Sequence, residues 1–308
     1  MNILAIVQDA ATELGLPAPA TLAGGIDLQI NQLLALANRN CTQLARDYNW
    51  TDLQNQFVIS PAPPVTQTGN VIAGSDILAN IPSTAGLDDS YAVSGEGMPQ
   101  SQRIASVIDA SSVRLAMPAT AAAVGATFTF AKDTYALPPD FDRYIGNTWW
   151  DRTNHWRLIG PDSPQQDQYV RSGIFATGPR RRWRQLGAGV SKWRVWPPPF
   201  GTDLGTLVFE YISRSWCQKQ DGSFSDRMTD DTDVPLFDPA LVTLGVKWRF
   251  WQIKGFEYAA LQQEYLDAVS ASVASDGGIP DLYINRRGSL DPLITTANVQ
   301  DGNWPGPT

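Results

Sequence analysis

With 308 residues, 43% of them hydrophobic and 18% charged, the chain is long enough for one large domain or two ordinary ones, and it lacks the bias of a disordered or fibrous sequence. Its 23 basic and 31 acidic residues leave a formal charge of −8, which excludes steering of anions by net charge but leaves a local basic patch open. Cys41 and Cys217 are the two cysteines, too few for a disulfide framework, and they fit a reducing compartment. Eleven tryptophans favour a protein with aromatic contacts in its core or against partners. Residues 1–16 have no basic leader, and Gln8, Asp9 and Glu13 interrupt the apolar positions. No apolar run approaches the roughly 18 residues of a membrane helix, so a soluble protein made in a cytoplasm is expected.

The first element reads as a helix over 2–15. Leu4, Val7, Ala11 and Leu14 recur at three- and four-residue steps, and Gly15 and Pro17 stop it. Asp27 is a suitable N-cap for a second helix, 27–49, with Ile30, Leu33, Leu34, Ala37, Cys41, Leu44 and Tyr48 on one stripe. Cys41 on that stripe reads as a small core hydrophobe.

At Ser60-Pro-Ala-Pro-Pro64 the texture changes. Residues 61–133 are predicted to form an inserted all-β module, with strands at Tyr91-Ala-Val, Arg103-Ile-Ala-Ser-Val-Ile, Ser112-Val-Arg-Leu and Ala126-Thr-Phe-Thr-Phe. A host domain of 1–60 and 134–280 resumes with a short helix from Phe141 to Arg152. Strands follow around Arg182–Leu186 and Lys192–Trp196, joined through Gly187-Ala-Gly189 as a hairpin, and then at Thr206–Ser213. Asp238-Pro239 opens the longest element, a helix over 239–275 with Leu241, Leu244, Trp248, Trp251, Tyr258, Leu261, Tyr265 and Val269 as its apolar period. At a rise of roughly 1.5 Å per residue it would be a spine on the order of 55 Å long, with a possible bend at Gly255. The predicted fold is α+β: a helical bundle with this long C-terminal helix beside an antiparallel sheet built from 182–213, plus the β module and an extended tail, 281–308.

Chemistry is sparse. His155 is the one histidine, so a triad would have to use it and a histidine-rich metal site is excluded. No phosphate-binding glycine loop is present; Gly95-Glu-Gly97 is too short. The acidic loop Asp226, Asp230, Asp231 and Asp233 is the best candidate for a hard cation, but its spacing departs from a calcium loop, and a solvated, helix-capping loop is preferred. Glu257 and Glu264 read as the polar side of a helix. No catalytic residue, cofactor or metal ligand is assigned. Arg180, Arg181, Arg182, Arg184, Lys192 and Arg194, interleaved with tryptophans, form the one basic concentration, a possible contact with DNA or with an acidic partner.

Several stretches are similar to one family. They are Leu14-Gly-Leu-Pro17 with the Leu-Ala-Asn-Arg helix after it, Leu137-Pro-Pro-Asp-Phe-Asp-Arg-Tyr-Ile145 through Trp149-Trp-Asp-Arg152, and Gly160-Pro-Asp-Ser-Pro-Gln165. Phe209 to Cys217, Asp231-Thr-Asp233, Leu244 to Trp251, Lys254 to Tyr258 and Asp276-Gly-Gly278 continue the series. In this order they resemble the head-to-tail adaptor, or tail tubular protein A-like, family of short-tailed and related bacteriophages. The match covers most of 1–56 and 134–287; the β module departs from the pattern and looks similar to small β insertions on phage virion proteins.

The resemblance implies a virion protein assembled in the host cytoplasm, a homo-oligomeric and usually dodecameric ring at the head–tail junction. It would sit beneath the portal protein and above a tail nozzle or tube protein, with double-stranded DNA passing through its bore without sequence-specific binding and with no membrane contact. The tail, 281–308, is expected to attach to the portal through Leu282, Tyr283, Ile284, Leu290, Leu293, Ile294 and Trp304, with Arg286 and Arg287 as ionic contacts. Two alternatives stand beside this non-enzymatic reading: a tail-associated peptidoglycan hydrolase using a carboxylate pair, and a glycan- or receptor-binding tail protein carried by the β module.

Overall fold

The computed structural model describes residues 1–22, 27–171, 181–187, 192–201 and 204–276. In chain order these form α1 (Ile3–Glu13), α2 (Leu28–Asp47), a 3-10 turn (Thr51–Leu53) and β1 (Gln54–Ile59). Six strands follow: β2 (Val65–Val71), β3 (Ile77–Ala79), β4 (Tyr91–Gly95), β5 (Ile104–Asp109), β6 (Ser112–Leu115) and β7 (Ala123–Lys132). Next come β8 (Thr134–Ala136), β9 (Phe141–Tyr144), β10 (Trp150–Asp151), β11 (Trp156–Arg157), α3 (Pro164–Arg171), β12 (Arg182–Leu186), β13 (Lys192–Trp196) and β14 (Leu207–Ser213). The short strands β15 (Cys217–Gln218), β16 (Phe224–Ser225) and β17 (Val234–Pro235) precede α4 (Pro239–Lys254) and α5 (Ala259–Ser275). The class is α+β, with five helices and antiparallel sheets among the described residues. Two compact units emerge: a helical one of residues 1–56, 139–145 and 210–276, and a β-rich one of 57–138 and 146–209.

In the helical unit the helices start where the sequence supplies acceptors for orphan N–H groups. Asn2 accepts from Ala5, Asp27 from Gln29 and Asp238 from Ala240, with Pro239 in the first turn of α4. α1 buries Ile3, Ile6, Val7, Ala10 and Ala11; α2 buries Leu33, Leu36, Ala37, Cys41 and Leu44. Both pack on α4, which forms the centre of this core.

The expected 37-residue spine is instead two helices. Gly255 takes φ +77° and its N–H closes on the Gln252 and Trp251 carbonyls, a left-handed C-cap that ends α4. α5 then folds back, bringing Tyr265 against Trp248 with ring centroids 6.0 Å apart. A continuous helix rising about 1.5 Å per residue would hold that pair roughly 25 Å apart. The buried face of α4 also differs from the expected stripe. Leu241, Val242, Gly245, Val246, Arg249 and Phe250 face the core, whereas Trp251 is exposed.

The segment expected as a helix from Phe141 to Arg152 is extended. Phe141, Tyr144 and Ile145 fit a helical step as well as a strand, and the pairing decides: in this unit β9 lies antiparallel to the second half of β14, with Tyr144 opposite Tyr211. The Asp140 carboxylate anchors its start by accepting from the Tyr211 hydroxyl at 3.0 Å and the Ser213 hydroxyl at 2.8 Å. Asn147, at φ +65°, then turns the chain.

The β-rich unit holds a six-stranded sheet in the order β4-β7-β2-β3-β6-β5. The Ala92–Arg103 bridge and the Val93 N–H donating to the Gln102 carbonyl bring its two edge strands together at one point, so the sheet rolls into a nearly closed barrel. Val71, Leu78, Ile104, Val113, Leu115, Phe128 and Phe130 fill it. Beyond Ile104, β5 is exposed. The expected hairpin β12–β13 forms, with Trp183 opposite Val195, but its third strand is β8 rather than β14. The first half of β14 pairs with β10 in a separate sheet of this unit, so no single sheet is built from 182–213.

Candidate functional site

The basic concentration lies on β12 and β13, where alternation sends side chains to opposite faces. Trp183, Trp193 and Val195 are buried on one face. Trp149 stacks on Trp183 at 3.7 Å and on Phe209 at 3.8 Å between centroids, so this part of the unit has an aromatic centre. The other face carries the cations, with Arg184 directly opposite Arg194. Like charges in that position repel unless counter-ions intervene, and carboxylates of the same chain do so. Arg182 grips Asp162 in a two-pronged pair, both contacts 2.7 Å. Asp167 on α3 accepts from Arg184 at 3.0 Å and Arg171 at 2.8 Å. Arg181 reaches Asp151 at 3.6 Å, and Lys192 reaches Asp89 at 3.3 Å.

Arg194 donates to Thr134 and stands near the buried pair of Arg103 with Asp133. Burial, with Arg103 nearby, lowers the Arg194 pKa to about 10. The guanidiniums are therefore engaged within the fold, and their planar, two-pronged geometry ties β12 to α3 and to the loop at Asp162. Arg180 lies outside the described residues.

The acidic loop organises the chain around it. The Asp233 carboxylate, buried, accepts from the Thr229 N–H at 2.6 Å, the Asp230 N–H at 2.9 Å and the Lys219 ammonium at 2.6 Å. Burial alone would raise its pKa, but these donors hold it below the ordinary carboxylate value. Asp231 accepts from Leu22 N–H and Thr21 hydroxyl, and the carbonyls of Asp233 and Asp231 receive the Ile3 and Leu4 N–H groups at the start of α1. This loop seats α1; among the described residues no group of three or more His, Cys, Asp or Glu is placed to hold a metal ion.

The helical unit contains a polar cluster that hydrophobic periodicity does not reveal. Arg249 is buried on α4 and donates to the Asn40 Oδ1 at 2.5 Å, the Gly245 carbonyl at 3.1 Å and the Gln43 Oε1 at 2.8 Å. Tyr265 donates its hydroxyl to the same Asn40 oxygen at 2.8 Å. The guanidinium also lies 4.4 Å from the Trp248 ring centroid and 5.5 Å from that of Tyr265, so it is bracketed by two π faces. Gly245 makes room: a Cβ there would collide with Asn40. The cluster joins α2, α4 and α5. The sequence signal for it was a glycine and an arginine one helical turn apart, Gly245 and Arg249, across from an asparagine on a buried stripe.

The remaining candidates separate. His155 is exposed in the turn between β10 and β11, at φ +55°. Cys41 is buried, and burial pushes its thiol well up; Cys217 is raised to about 11 by burial and then by Asp233. Glu264 is exposed on α5, and Glu257 accepts from the Ala259 N–H at its start. Leu282, Tyr283, Ile284, Arg286, Arg287, Leu290, Leu293, Ile294 and Trp304 all fall outside the described residues. No described helix is long and apolar enough to cross a membrane.

Comparison with curated proteins finds no match. The SU10 adaptor protein model, however, matches residues 100–279, more than half of the chain. The match begins inside the six-stranded barrel, so β5 to β7 fall within the family pattern that sequence reading had set them outside. It continues through the arginine-bearing hairpin and both C-terminal helices, and the chain belongs to the SU10 adaptor protein family, phage head-to-tail adaptors.

Proposed function

We propose that the chain assembles as a dodecameric ring at the head–tail junction of the virion, beneath the portal protein and above a tail nozzle or tube protein. Its role is structural rather than enzymatic. The observation that carries this reading is the adaptor match over residues 100–279. The tail, from 281 on, attaches to the portal by its apolar positions, Trp304 foremost, since a polar segment with spaced anchors gains order where it is laid along a partner. Double-stranded DNA passes through the bore without sequence-specific contact, and the formal charge of −8 supports passage without adhesion because phosphates meet like charge. Mass photometry of the full chain alone and with its portal tests the reading. A ring-sized species that joins the portal is the expected result; a chain that stays monomeric with the portal present would overturn it.

A further inference from the structure

The turn between α4 and α5 carries an aromatic knob. Trp251, Ile253 and Phe256 are 36%, 52% and 58% exposed, large values for apolar side chains in one short stretch. They are ordered relative to one another: the Trp251 and Phe256 rings meet edge to face at 5.9 Å, on either side of the left-handed Gly255. One other feature of the knob matters for a partner. The Lys254 ammonium is in no ion pair among the described residues.

The β-rich unit carries a cleft of complementary character. Val93, Met98, Pro99, Trp196, Pro198 and Phe200 line a volume of about 270 Å³, on the scale of an aromatic side chain with its neighbour. Glu96, between the lining residues Gly95 and Met98, is exposed and in no ion pair among the described residues.

We propose that the Trp251–Phe256 knob of one copy seats in the Trp196–Phe200 cleft of the next, as the contact between neighbouring subunits. Apolar rings fill the cleft, and Lys254 meets Glu96 at its edge. Aromatic anchors buried in a pocket dominate the energetics of protein contacts. Two different patches on one chain make a heterologous contact, the kind that repeats head to tail and builds a ring when the rotation between copies closes. The inference rests on the ring reading above and names the surface that builds it.

The test is cross-linking of the full chain carrying both Lys254→Cys and Glu96→Cys, which keeps the aromatic anchors, beside each single variant; Cys41 and Cys217 are buried and compete little. A short bismaleimide should give a ladder of multimers with the double variant, dimers when the two single variants are mixed, and neither with a single variant alone. Independently, Phe256→Asp, at an exposed site and checked by circular dichroism, should weaken self-association at least roughly ten-fold in sedimentation velocity. Self-association without the cross-link, undiminished by Phe256→Asp, overturns the knob-and-cleft contact and leaves the ring intact. A chain that never self-associates, with or without portal, overturns both.

Discussion

The guanidinium of Arg249 donates to the side-chain oxygen of Asn40 at 2.5 Å, and no carboxylate is paired with it among the described residues. Neutral acceptors and two aromatic faces hold a buried cation here, an arrangement that tolerates little loss because an uncompensated charge in a core is costly. Asn40→Ala removes the acceptor shared by Arg249 and Tyr265 and is expected to destabilise the chain by about 3 kcal/mol, read from the denaturation midpoint in urea. Gly245→Ala, which drives a methyl into Asn40, should cost about 1–3 kcal/mol by overpacking. Full stability in both variants would mean that the cluster is incidental to the helical core.

The acidic loop predicts a pH dependence of definite sign. Asp233 has a native pKa below the ordinary 3.8, so its contribution is present above that value and is lost as pH falls through the lower native one. Asp233→Asn removes the contribution at neutral pH and leaves nothing of it to lose in acid. Thermal unfolding curves of the two proteins should therefore lie apart at pH 7 and draw together only as pH falls below the ordinary carboxylate value of 3.8. Curves that stay parallel from pH 7 into acid would show that the carboxylate does not seat the loop.

Engagement of the arginines in the β12–β13 hairpin predicts that they act on stability before they act on nucleic acid. Arg182→Ala strands the buried carboxylate of Asp162 and should cost about 1–2 kcal/mol of stability after allowance for partial solvent screening, whereas Arg184→Ala leaves Asp167 paired with Arg171 and should cost less. Retention of duplex DNA at physiological salt should be unchanged in both, measured by filter binding. A fall in retention with no loss of stability would mean instead that these cations are available to phosphates.

Attachment through the tail predicts that a chain ending at Gly278 still folds but no longer co-sediments with portal rings. Within the intact tail Trp304→Ala should give the largest single loss, larger than Arg286→Ala or Arg287→Ala, because exposed ion pairs contribute little each. Undiminished binding by the truncated chain would move the attachment to another surface.

Local signals carried much of the fold. Asn2, Asp27 and Asp238 stand at helix starts because acceptors are needed there, and the alternation in β6 marks a strand with one buried face. What failed did so where pairing or a single residue overrode the pattern. Phe141 to Ile145 satisfies both periods, and its partner strand lies more than sixty residues on, at β14. The helical stripe continued across Gly255, although the left-handed cap there divides the helix. Arg249 was invisible as a core residue because periodicity reads apolar side chains inward and is silent about a cation held by Asn40. Of the candidate site, the basic hairpin was legible as a cluster, but its carboxylates, Asp162 and Asp167, come from the loop and helix ahead of it and reveal themselves only when the chain is folded.

The first strand of the barrel, β2, is hydrogen-bonded to its last, β7, with Val65 opposite Phe130. Where the barrel is entered and where it is left thus sit side by side. Chain-closure entropy depends on how far apart two ends must be held, and here the barrel holds them together by its own pairing. To the residues before Val65 and after Lys132, the whole stretch between is entropically equivalent to a tight turn. A change in barrel size or sequence that preserves the β2–β7 pair consequently places no strain on the chain that carries it.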